Sequence, residues 1–148
     1  MITPNRVYES IGVGYAAVCR PDPRIRQLIV DALADANSVL NVGAGAGNYE
    51  PKDRRVVAVE PSSAMIAQRD TGAGPAVQGV AEALPFRDGT FDATLATSTL
   101  HHWTEIAVGL RGCAGWQTGK WYCCSNSPNP RSFGLLSISP NVCRCRPR

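Results

Sequence analysis

Three glycines at every second position, Gly43, Gly45 and Gly47, follow the run Ser38-Val39-Leu40-Asn41-Val42. A glycine has no Cβ, so the chain there can take positive φ and let a ligand come close to its backbone. Val56-Val57-Ala58-Val59 then ends in a carboxylate, Glu60, 17 positions after Gly43. Open α/β sheets hold nucleosides with such parts. A buried strand leaves into a glycine loop, and an acid about 20 residues on reaches the ribose hydroxyls. A dinucleotide site is the competing reading, with an NAD(P)-dependent oxidoreductase as its function. Its glycines are spaced G-x-G-x-x-G and lead into a long helix, whereas Pro51 leaves room here for about one turn.

Other candidate groups are weaker. His101-His102 are conceivable proton acceptors, but their position after a strand also suits a polar loop. Asp92, at the start of a strand, suits support of that strand better than catalysis. Cys123-Cys124 and Cys143-x-Cys145 lack the spacing and partners of a zinc site, so no metal is expected.

The elements that must position these groups alternate. Asp22-Pro23 reads as a helix N-cap followed by proline at the first helical position. Ile25, Leu28, Ile29, Ala32 and Leu33 then repeat at the spacing of an amphipathic helix. The glycine-loop strand follows, then the strand ending at Glu60, and a helix opening at Pro61-Ser62-Ser63. Ala76-Val77-Gln78 is a short strand, Ala81 to Leu84 one helical turn, Phe91 to Thr97 a fourth strand, and Thr104 to Leu110 a helix. Strand–helix alternation predicts an α/β fold, a Rossmann-like parallel sheet with helices on both faces.

The 148 residues suit one domain. No apolar run reaches the roughly 18 residues of a membrane span, and Met1 to Arg6 lacks the pattern of a signal peptide. A cytoplasmic protein with no membrane partner is expected. The net charge of +3 is unevenly spread. Residues 1–111 carry 10 Lys/Arg against 12 Asp/Glu, whereas residues 112–148 carry 5 Lys/Arg and no acid. The basic excess belongs to the tail, so no nucleic-acid partner is inferred.

Four stretches in order resemble the class I S-adenosylmethionine-dependent methyltransferases, in the small-molecule branch called type 11. They are Val39 to Gly47, Val57 to Met65, Gly79 to Phe86, and Phe91-Asp92 with Leu100 to Trp103. The match spans about residues 8–111. The resemblance implies S-adenosyl-L-methionine as cofactor, a small-molecule methyl acceptor and a sheet of seven strands, of which this chain supplies about four. It implies that Asn41, Gly43, Ala44, Gly45 and Gly47 lie beneath the methionine part and that Glu60 takes the ribose diol. Pro61, Ser62 and Met65 would border the adenine, with Ala81 and Glu82 at its amino edge. Thr97 and Ser98 would face the sulfonium and the acceptor, and Tyr8, Tyr15 and Arg20 would form a lid. No catalytic base is forced. The family often has Asp where Asn41 and Val80 stand, so a charge and an adenine contact are absent.

From Gly112 the chain departs from the family, which continues with a helix end, a glycine and an apolar fifth strand. Arg111 to Cys124 has neither period and is rich in Trp and Cys. Read one base out of frame from inside codon 112, the same stretch permits Met-Arg-Arg-Val-Ala-Asn-Gly-Lys-Val-Val-Leu-Leu, which has the family's form. The expectation is therefore a methyltransferase part over 1–111 and an aberrant, disordered tail over 112–148. It includes an open edge beside the fourth strand and impaired transfer. A non-catalytic cofactor-binding fragment or pseudogene product is the alternative.

Overall fold

A computed structural model of the chain describes residues 7–115, 117–125 and 134–138. Two short helices, α1 (Val7–Ile11) and α2 (Tyr15–Val18), precede α3 (Pro23–Leu33). Gly12 and the left-handed Gly14 stand between the first two, so Tyr8 and Tyr15 of the expected lid lie on two separate helical pieces. Asp22 caps α3 as its sequence implies: the carboxylate accepts from the Arg24 amide at 2.8 Å, and Pro23 opens the helix.

The sheet contains β1 (Ser38–Val42), β2 (Arg55–Glu60), β3 (Ala76–Gln78) and β4 (Phe91–Thr97). These four are parallel in the order β3-β2-β1-β4, the expected Rossmann-like arrangement. The helix α4 (Ser63–Ile66) links β2 to β3, and α5 (Ile106–Gly115) follows β4. Short 3-10 turns occupy Ala81–Ala83 and Leu100–His102.

β1 is buried at all five positions, so its alternate side chains supply both faces of the sheet. Val39 packs with Ile29, Leu33, Val56, Ala93 and Leu95 under α3. Leu40 and Val42 pack with Val59, Leu84, Phe91 and Cys113 on the other face. Asp92 is a structural clamp. Its Oδ2 accepts from the Asn37 and Ser38 amides at 3.0 and 2.8 Å and from Ser38 Oγ at 2.9 Å. The start of β4 is thereby locked beside the start of β1.

The edge of β4 is not open. α5 runs through Gly112 to Gly115, β5 (Gln117–Ser125) pairs parallel with β4, and β6 (Gly134–Ile138) pairs antiparallel with β5. Ladder hydrogen bonds join backbone groups, a C=O on every residue and an N–H on every residue but proline, so a strand can form without a side-chain period. The rest of the expected tail, residues 116, 126–133 and 139–148, lies outside the described residues.

Candidate functional site

A cleft lies at the carboxyl edge of β1, β2 and β4, where the strand order changes direction between β1 and β4. Its floor is Asn41, Gly43, Ala44 and Gly45, and one wall is Glu60, Pro61 and Met65. Ala81 and Glu82 stand beyond that wall, Thr97 and Ser98 at the end of β4, and Tyr8, Tyr15 and Arg20 on the lid side. Gly47 alone of the expected residues does not line the cleft. A Cβ there would meet Arg69 Nη1 at 3.0 Å and Glu50 Oε2 at 3.2 Å, and its φ is +85°. Gly47 therefore makes room for groups behind the loop, as only glycine can at that φ.

Four of the loop's amide groups are already used. Gly43 and Ala44 donate to Val59 O at 2.8 and 3.1 Å, Gly45 to Glu60 Oε2 at 2.7 Å, and Gly47 to Ala44 O at 2.9 Å. A diphosphate cradle needs such N–H groups aimed at the anion. Four that would have to serve are turned inward instead, and this argues against a dinucleotide. A Cβ on Gly43, at φ +67°, would overlap the Thr99 side chain, so that glycine admits Thr99 to the loop.

Glu60 is 6% exposed, at the end of β2. Besides the Gly45 amide its carboxylate accepts from the Ser62 amide at 3.0 Å. Burial lifts its pKa above the ordinary glutamate value, against the opposing pull of those two amides. Each carboxylate oxygen keeps a lone pair for a further donor. Among the described residues, two side-chain oxygens around the cleft are buried without a hydrogen-bond partner, Asn41 Oδ1 and Thr97 Oγ1. Buried oxygens left bare are costly and call for a partner. Ser98, next to Thr97, takes a left-handed φ of 53°, strain of the kind found at binding sites.

The lid is tied to the wall. Glu9 accepts from the Ser63 amide and hydroxyl at 2.8 and 3.1 Å, and Gln68 Nε2 donates to Gly12 O at 2.6 Å. Tyr8 meets Tyr15 edge to face at 6.3 Å, and its hydroxyl lies 3.1 Å from His102 Nε2. Burial raises the pKa of the Tyr8 hydroxyl and lowers that of His102. His102 thus reaches the cleft, while His101 is exposed beside it with ring centres 3.8 Å apart. Glu82 Oε1 accepts from the Glu105 amide at 3.1 Å, joining the 3-10 turn to the approach to α5.

A family profile described as a methyltransferase domain matches residues 40–117, more than half of the chain. The chain belongs to this methyltransferase-domain family. A search of the curated proteins finds no match. Among solved structures, the fold is similar to a protein described as a methyltransferase of an antibiotic biosynthesis pathway in Anabaena variabilis. The two are 25% identical with a TM-score of 0.66, over 71% of this chain and 46% of that one. A SAM-dependent methyltransferase from Thermotoga maritima gives 24% identity and a TM-score of 0.60, over 66% of this chain and 48% of that one. The [4+2]-cyclase SpnF gives 16% and 0.71, over 82% and 58%. The chain spans about half the length of these structures, and a cyclase among them shows that the methyltransferase fold alone does not name a reaction.

Two cleft residues, Tyr49 and Thr99, carry no signal in the sequence pattern, and Trp103, which ends the fourth family-like stretch, is given no role by the resemblance. Trp103 Nε1 donates to Thr99 Oγ1 at 3.2 Å. Glu50 and Arg69 stand behind it as a buried pair, Nη2 to Oε2 at 2.8 Å. Glu50 sits in a turn before Pro51 and 19 positions from Arg69, and no spacing rule joins them.

Proposed function

We propose that the cleft binds S-adenosyl-L-methionine and that the chain takes part in methyl transfer to a small-molecule acceptor. The observation that carries this is Glu60, a buried carboxylate at the cleft edge with lone pairs left for a ribose diol. The bare oxygens of Asn41 and Thr97 and the inward-turned loop amides support the same ligand, which has donors at both ends and no diphosphate. When bound, the sulfonium supplies an activated methyl group. The chain's own part is to orient: Glu60 holds the sugar, Pro61 and Met65 offer apolar contact to a flat base, and the tyrosines of the lid exclude water.

Titration calorimetry tests the reading. S-adenosylmethionine should bind, NAD should not, and Glu60→Gln should weaken donor binding by roughly tenfold or more, as expected for a lost charge-assisted bond of about 1.5–3 kcal/mol. Unchanged donor affinity in Glu60→Gln, or preferential binding of NAD, would overturn it. Turnover against a panel of small hydroxyl and amine acceptors separates a transferase from a non-catalytic cofactor-binding fragment.

A further inference from the structure

We propose that Glu50 is a positioning residue that fixes the Asn41 amide so that Oδ1 receives the ammonium group at the ligand's amino-acid end. This rests on the adenosyl-donor reading above. The two ends of an asparagine side chain differ only in hydrogen bonding, and a half-turn exchanges them. Here the choice is made from behind. Asn41 Nδ2 donates to Glu50 Oε1 at 2.9 Å, and the half-turned amide would set two acceptor oxygens against each other. Glu50 cannot yield, because Arg69 grips both of its oxygens at 2.9 and 2.8 Å and is itself anchored to Gly74 O at 3.1 Å. Asn41 is 4% exposed and the Glu50 and Arg69 side chains 7% and 5%, so each contact acts away from water.

The outcome is an amide oxygen with no partner among the described residues, on a residue that lines the cleft. It can only accept, so it selects a ligand end that donates. The ammonium of an amino acid is such an end, and Arg20, lining the same cleft, is of the charge to meet the adjoining carboxylate. The arrangement also explains why the aspartate common in the family does not suit this chain. At position 41 it would place a second carboxylate against Glu50, with Arg69 alone to balance both. Asparagine at 41 and glutamate at 50 are thus matched.

Calorimetry with two probes tests this. S-adenosylhomocysteine carries the amino-acid end, and 5′-methylthioadenosine has the same nucleoside without it. In the unaltered chain the first should bind more tightly. Asn41→Ala should lower its affinity roughly tenfold and leave methylthioadenosine unchanged. Glu50→Gln, whose amide can pair with either end of the Asn41 side chain, should show a smaller loss of the same selectivity. If Asn41→Ala fails to fold, Asn41→Leu carries the test, with the same selective loss expected. Equal losses for both probes would show a merely structural role, and unchanged binding by Glu50→Gln would show that Glu50 does not set the site. Either result overturns the inference while leaving the donor reading intact. If neither probe binds the unaltered chain, both fall.

Discussion

Glu60 sits where a carboxylate loses hydration and regains only part of it from two amides. Its pKa is raised on folding. The contribution of such a group is greatest below the unfolded value of about 4.3 and is lost as pH rises through the higher folded value. Without ligand, the melting temperature of the native chain minus that of Glu60→Gln should therefore fall from pH 4 upward and level off above the folded pKa. A difference that stays flat from pH 4 to 8 would show that the carboxylate is not penalised. Under the proposed donor reading, ribose hydroxyls at Glu60 would favour the charged form, so donor affinity should weaken in acid. The sequence showed this residue because a strand end and a spacing pointed to it. It could not show the amides already bonded to it.

At the scale of elements, the loop after β1 is held from both sides. Thr99 fills the space that Gly43 leaves open, and the Glu50–Arg69 pair lies behind Gly47. Arg69→Met should cost about 3–5 kcal/mol, since it leaves Glu50 buried without a counter-charge. That is a large part of the roughly 5–15 kcal/mol typical of a domain. Replacing both partners with Glu50→Leu/Arg69→Met should recover part of the loss, as read from urea denaturation, the rest being the Asn41 amide left without its acceptor. Equal destabilisation by the single and double variants would mean that packing, not charge, dominates. The helices and strands that frame this loop were legible from period and caps: Asp22-Pro23 marks the start of α3, and the turn at Ala81 ends before Pro85. The lid was less so, because Gly12 and Gly14 break its helical period.

For the molecule as a whole, the sheet continues past β4 through β5 and β6, although the sequence after Arg111 has no strand period. A frame shift inside codon 112 would account for that lost period. The gene should then show a one-base insertion or deletion there relative to related genes. An intact frame through codon 112, shared with relatives bearing the same tail, would refute the shift. A corrected chain should regain the apolar fifth strand and bind at least as tightly as the present one.

By itself the sequence determined the four parallel strands, the methyltransferase resemblance and an acid, Glu60, at the end of the second strand. These follow from short-range pattern: burial period, glycine spacing and a strand's last residue. Tertiary structure decided which loop amides are used up, that Gly47 faces an ion pair and not the cleft, and which way the Asn41 amide points. Those outcomes depend on groups that meet only when β1, β2 and α4 come together, and residues far apart along a chain leave no local period to read.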